Sequence, residues 1–384
     1  MALTFDTYKQ RFPGEIFFYG NASHGFYDTL MWLQENRPKK RANIVMPVYI
    51  PAKLYRYVLA AGYEPVFYDI NTSCGFEPEE VARLINDRTQ AVLVIHYFGI
   101  PCPVQKLKAL TKSTGVFLIE DCVHTLNSRN EGDFLGTIGD CALFSARKML
   151  QLPSGGFLVL NNPGHCRREF RPSYKKGVRD IYTGYYLVTS RTKYAYYNLT
   201  RGYDPLKLAW IPGTGYIDFS DKQQVTTRKM SYLTKKYLTS IDIDKVTNRR
   251  QFNYNYLLNH IKEMEFLQPV YPEQFYFETK TVHGQKLQLK DGIIPYSFPL
   301  LTPLGNRSVL RQLLCGVGVG CGAGWPETPF HHDEFTNTKI LADRLLEIPI
   351  HQGITVHQLE RVVRCLKAYE LKIYPELHLK KQNN

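Results

Sequence analysis

Between residues 42 and 160 the chain alternates short apolar runs with amphipathic ones. Residues 42–48 (ANIVMPV) form a continuous apolar run, the pattern of a strand covered on both faces. Residues 53–61 read as a helix closed by Gly62, and 65–69 (PVFYD) as a strand. Residues 76–87 read as a helix; Pro78 suits its first turn, and Glu77, Glu79 and Glu80 lie near its N-terminus, where the dipole favours acids. The pattern repeats as a strand over 91–97, a helix over 104–113 and strands over 116–120, 141–145 and 156–160. This alternation predicts an α/β fold with a mixed, mostly parallel sheet covered by helices. In such sheets ligands sit at the carboxyl ends of strands, where Asp121 and Ser145 fall.

Beyond residue 160 the character changes. Residues 165–210 are rich in Tyr, Arg and Lys, including Arg167, Arg168, Arg171, Lys175, Lys176, Arg179, Arg191, Lys193 and Arg201. Residues 245–265 read as a long helix linking to a second domain. That domain has a strand around 294–298, a helix over 306–314 and a terminal helix over 356–369. The chain thus divides into a large domain, 1–240, and a smaller C-terminal α/β domain, 241–384. The final KKQNN reads as frayed.

A length of 384 residues suits one large or two medium domains, and 44% hydrophobic with 22% charged residues is ordinary for a globular protein. The start carries no apolar leader, and the most apolar run, 91–97, is too short to span a bilayer, so a cytoplasmic protein without a membrane span is expected. The eight cysteines form no C-x-x-C pair, which predicts reduced thiols and no metal. A net charge of +13 suits nucleic acid, an acidic membrane surface or a phosphorylated substrate. No helix-turn-helix, RNP-like or finger pattern is present, so specific nucleic-acid binding is discounted. A phosphate-bearing substrate is the simpler reading, and a merely soluble basic surface stays open.

Three features stand in order: Ile119-Glu120-Asp121, then Phe144-Ser145, then Lys148 followed by Gly155-Gly156. Singly each is weak, since an Asp after a strand is usually a turn residue and a Lys there is usually solvated. Together they are the groups a pyridoxal-phosphate (PLP) enzyme needs. A lysine must offer a free amine to the aldehyde, so its pKa must fall from about 10.4. A carboxylate must face the pyridine nitrogen, and N–H or hydroxyl donors must hold the phosphate.

The segment 42–160 resembles the sugar aminotransferases of the DegT/DnrJ/EryC1/StrS family, which have the fold-type-I PLP-dependent transferase architecture. The resemblance rests on Gly62-x-x-Pro65-Val66-Phe67-x-Asp69, His96-Tyr97-Phe98-Gly99, Glu120-Asp121-x-x-His124, Leu135-Gly136-Thr137-x-Gly139-Asp140, Phe144-Ser145-x-x-Lys148 and Gly155-Gly156. Ala342-x-Arg344-Leu345-Leu346-x-Ile348-Pro349-Ile350-His351 resembles the family's closing motif. The resemblance implies Lys148 as the Schiff-base lysine and Asp121 as partner of the pyridinium. It puts His124 beside the cofactor ring, where the family usually has Gln. It gives Ser145 and the segment Ser23-His24-Gly25, just before a helical run over 26–35, to the phosphate.

The chain departs from the family in several places. The gap from Ser145 to Lys148 is shorter, and Ser154 replaces a Glu before the two glycines. Pro51 stands for the aromatic that stacks on the ring, with Tyr49 the nearest substitute. His24 interrupts the S-G-T segment. An Asn given by the neighbouring subunit is lost near 226–231, where Thr227 or Arg228 stands in.

The run 316–324 (GVGVGCGAG) lacks the strand–turn–helix context of a nucleotide loop. It reads as strand and turn leading to Trp325, a candidate for stacking on substrate, with Arg228 a second substrate candidate. The stretch 165–210 suits grip on a nucleotide diphosphate, or equally a solvated, dimer-facing or membrane-facing surface. His96 reads as a packed structural histidine. The resemblance implies a homodimeric aminotransferase that moves an amino group from a donor, glutamate, to a nucleotide-linked keto sugar. Two alternatives stay open: another PLP reaction such as dehydration or elimination, and a degenerate relative kept as a binding partner.

Overall fold

The computed structural model describes residues 3–37, 42–150, 152, 154–163, 225–262, 264–281, 284–326 and 334–373, with scattered positions between 166 and 189. Most of the basic stretch 165–210, including Arg191, Lys193 and Arg201, lies outside the described residues, as does the KKQNN end.

The main sheet is built from β1 (Glu15–Tyr19), β2 (Asn43–Pro47), β3 (Glu64–Tyr68), β4 (Thr89–Ile95), β5 (Phe117–Asp121), β6 (Cys141–Phe144), β7 (Gly156–Leu160), β8 (Lys176–Gly177) and β9 (Arg228–Lys229). Their order is β8-β9-β1-β7-β6-β5-β4-β2-β3. The run β6-β5-β4-β2-β3 is parallel, while β7 pairs antiparallel with both β6 and β1. Every residue of β2, β4, β5, β6 and β7 is buried, which is why they read as unbroken apolar runs. β1, β8 and β9 went unread in the sequence.

Helices α1 (Ala22–Asn36), α2 (Ala52–Ala60), α3 (Pro78–Arg83), α4 (Val104–Thr111) and α5 (Ala146–Leu150) accompany this sheet. α1 begins four residues before the run expected at 26–35, because Asn21 caps it: its side chain accepts from Ser23 N–H. Ser23, His24 and Gly25 therefore form its first turn and do not precede it. α3 is shorter than the expected 76–87; it starts at Pro78, which is locked for a first turn, and stops at Arg83. Gly156 lets the start of α1 sit against β7, because a side chain there would run into the backbone of Ala22.

After α6 (Tyr232–Ser240), the long helix α7 (Ile243–Ile261) leads to a second sheet. That sheet has the order β10 (Gln268–Pro269), β13 (Ser297–Leu301), β14 (Leu345–Pro349), with a separate hairpin of β11 (Tyr276–Thr281) and β12 (Gly284–Leu289). The strand expected around 294–298 is Ser297–Leu301; the N–H groups of Ile294 and Tyr296 are instead taken by Ser128 Oγ and the Phe98 carbonyl. Helices α8 (Arg307–Gly316), α9 (Thr336–Arg344) and α10 (Val356–Ile373) complete this part. Among the described residues no helix is long and apolar enough to cross a membrane.

Candidate active site

Parallel β5 and β6 are neighbours, and Asp121 pairs in register with Leu143. Both carboxyl ends therefore open on one edge, where β5 releases Asp121 and β6 releases Ser145 and then α5 with Lys148. Asp121 Oδ1 accepts from Val123 N–H at 3.0 Å, and no described donor meets its second oxygen. Burial raises the Asp121 pKa, while Lys148, the Val123 N–H and His96 oppose that rise. Lys148 is pulled down to about 8, first by burial and then by Arg147, against the upward pull of Asp121 and Glu347. Asp121 and Lys148 are thus near enough for each to act on the other's charge.

His124 follows Asp121 by one turn and is buried. Its Nε2 lies 2.8 Å from Lys148 Nζ, and its Nδ1 accepts from Phe98 N–H at 3.1 Å. Three rings lie nearly parallel to it: Tyr296 at 4.4 Å and 3°, Trp325 at 5.8 Å and 6°, and Phe98 at 5.7 Å and 16°. Trp325, at the end of the glycine-rich run, thus joins the ring stack beside Lys148. Tyr49 is fully buried behind it: its hydroxyl accepts from Trp325 N–H, and its carbonyl accepts from Tyr97.

The first turn of α1 forms the second corner. Ser23 Oγ donates to Asn21, and His24 Nδ1 accepts from Arg228 N–H at 3.2 Å. His24 is held down to about 4 by burial, Lys53 and Arg228. Lys53 is itself lowered to about 8 by burial and the neighbouring Arg147. Positive charge from Lys53, Arg147 and Arg228 thus gathers near a helix N-terminus, whose own dipole favours an anion. Arg228 reaches this corner within the one chain, on β9. Gly25 faces the sheet, against Tyr19 and Leu158, where helix and strand pack closely. Ser145 is buried, and its carbonyl caps the turn carrying Lys148.

Four contributors escaped the sequence reading. Arg250 on α7 is fully buried; it donates to the carbonyls of Met149 and Tyr296, so it ties α5 to the ring stack. Glu347, the variable position of the closing motif, accepts from Ser297 Oγ and Gly324 N–H and acts electrostatically on Lys148. Tyr296 and Phe98 supply the stack. The Phe98 signal lay in the His96-Tyr97-Phe98-Gly99 motif, whereas an Arg in a long helix gives no signal of burial.

His96 is structural in its geometry. Its Nδ1 accepts from Cys102 N–H, and its Nε2 lies 3.0 Å from Glu120. Glu120 also accepts from the N–H groups of Gly136, Ile138 and Gly139. Cys122 lies close by, but the lone pairs of the carboxylate and of Nδ1 are already taken. Glu120→Ala strands four donors in a buried interior. It should lower unfolding free energy by about 3–5 kcal/mol, read by urea denaturation.

Residues 19–178 match the DegT/DnrJ/EryC1/StrS aminotransferase family. The chain is 32% identical over 122 residues to the GDP-perosamine synthase of Vibrio cholerae, covering 31% of this chain and 33% of that protein. It thus spans about a third of the length of the curated relative it matches. Its fold is similar to the aminotransferase from Psychrobacter cryohalolentis, at TM-score 0.66 and 16% identity, covering 97% of this chain and 90% of that one. It is also similar to the sugar aminotransferase Spr1654 of Streptococcus pneumoniae in its PLP form, at TM-score 0.64 and 13% identity, covering 95% and 89%. The fold is therefore that of the PLP-dependent sugar aminotransferases.

Proposed function

Proceeding from the family match over residues 19–178, we propose that this chain is a PLP-dependent aminotransferase. It moves an amino group from an amino-acid donor, by resemblance glutamate, to a keto sugar carried on a nucleotide. The observation that carries this reading is the pairing of Lys148 and Asp121 at the ends of adjacent parallel strands. The amine is held near 8, and the carboxylate keeps one oxygen open.

The residues fit the cofactor. Lys148 offers the amine that tethers it, and the open oxygen of Asp121 suits a protonated ring nitrogen. Ser23, Ser145 and the first turn of α1, with Lys53 and Arg147 nearby, suit a phosphate. When bound, the cofactor supplies an electron sink for charge developing at the donor's α-carbon. With the cofactor bound, Lys148 would be a neutral base of suitable strength to take the donor's α-proton, and would deliver a proton when the amino group passes to the sugar. Asp121 would keep a bound cofactor's ring nitrogen protonated. Trp325 offers a flat apolar face to substrate, and Arg228 a cation for the anionic end of a nucleotide. We take the working unit to be a cytoplasmic homodimer with a domain division near residue 240: the homodimer rests on the family resemblance, the division on the long helix that follows it, and the location on the apolar pattern of the sequence.

Purified protein with PLP and glutamate, given a panel of nucleotide-linked keto sugars, should release 2-oxoglutarate with at least one sugar. Consumption of a sugar without 2-oxoglutarate would replace transfer by elimination. Release with none of them, and no sugar consumed, would count for the degenerate-relative reading.

A further inference from the structure

We propose that His124 is a positioning residue that keeps Lys148 as a neutral amine, its ring tautomer fixed by the strained backbone at Phe98. This rests on Lys148 being the reactive amine of the proposed function.

The argument is one of proton counting. Phe98 N–H donates to His124 Nδ1. A ring nitrogen that accepts carries no proton, so the one proton of a neutral ring sits on Nε2. Nε2–H then points at Lys148 Nζ, 2.8 Å away. An ammonium has three donors and no acceptor, so it would meet that N–H head on. Placing the ring proton on Nδ1 instead would set it against Phe98 N–H, and an imidazolium would do the same. Of the possible proton arrangements, only a neutral ring beside a neutral amine makes both bonds.

The backbone is built to hold this arrangement. Phe98 sits at φ 55° and ψ 15°, a left-handed conformation costly for a bulky residue. Its carbonyl is pinned by Tyr296 N–H at 2.7 Å and the Tyr271 hydroxyl at 3.2 Å. The next residue is Gly99 at φ 89°, where a side chain would strike the Ile294 carbonyl. The strained turn thus aims one N–H at Nδ1, while the Tyr296–His124–Trp325 stack fixes the ring plane. His124 is 3% exposed, so water is poorly placed to substitute for either partner. Burial and Lys148 both hold the ring well below its ordinary value. The other charged groups acting on Lys148 are Asp121 and Glu347, which favour the ammonium, and Arg147, which opposes it.

Competitive labelling tests this on the full chain without added cofactor. Trace acetic anhydride is applied from pH 6 to 11, and the Lys148 peptide is quantified by mass spectrometry against the other lysines. The wild type should show a midpoint near 8. His124→Phe keeps a stacking ring but loses both bonds, and should raise the midpoint by about one pH unit. His124→Gln can accept with its oxygen and donate with its amide, and should stay near the wild type. A wild-type midpoint at the ordinary value of about 10.4 would overturn the proposal. So would a His124→Phe midpoint equal to that of the wild type. ¹⁵N-histidine spectra of the wild type give a reading that does not depend on the folding of His124→Phe: a neutral, Nε2-protonated His124 is expected, and an Nδ1-protonated or charged ring overturns the proposal. Neither measurement needs bound PLP, so failure here is separable from failure of the aminotransferase reading.

Discussion

Lys148→Ala should leave a folded protein whose amino transfer falls on the order of 10⁴-fold or more, because the proposed tether and proton carrier would vanish together. The side chain is only partly buried, and its contacts are polar: Nε2 of His124, and the charges of Asp121, Arg147 and Glu347. Its removal therefore opens little apolar cavity, and unfolding free energy should change by no more than about 1 kcal/mol. Initial rates of 2-oxoglutarate release, paired with thermal melts, separate the two effects. A rate within tenfold of the wild type would remove Lys148 from the chemistry.

Asp121→Asn should reduce turnover by about 10²–10³-fold, with a smaller change in KM for the amino donor. An Asn can still accept the Val123 N–H that Asp121 Oδ1 now takes, so the turn is preserved. What disappears is the negative charge that acts on Lys148 and that, in the proposed reading, would face the ring nitrogen. The loss therefore falls on charge stabilisation during the reaction and less on substrate binding. An effect on KM alone, with turnover intact, would mean that Asp121 does not support the electron sink. The amine should respond too: Asp121 raises the Lys148 pKa, so its removal should move the Lys148 midpoint below 8.

The parallel half of the main sheet was legible because buried strands are apolar on both faces, and the helices between them punctuate the runs. β1 (EIFFY) opens with a charge and is only partly covered, so it lacked that signature. The start of α1 was missed because Ser23, His24 and Gly25 are poor helix formers, and a single Asn21 cap overrides them. In the site, the Lys148–Asp121 pair was legible because its members lie 27 residues apart at the ends of two recognisable strands. The companions were not. Arg250, Tyr296 and Glu347 come from elements 100 or more residues beyond Lys148, and no local pattern marks which way they face. Gly25 has a packing reason that the sequence did not show: a side chain there would press on Tyr19 and Leu158.

Two described lysines share a pKa near 8, Lys148 and Lys53, and only one can be the tether. Incubating the chain with PLP, reducing with borohydride and mapping the modified peptide decides between them. The phosphopyridoxyl mass should appear on the peptide containing Lys148 at close to one per chain. The same mass on Lys53, or spread over surface lysines, would contradict the account.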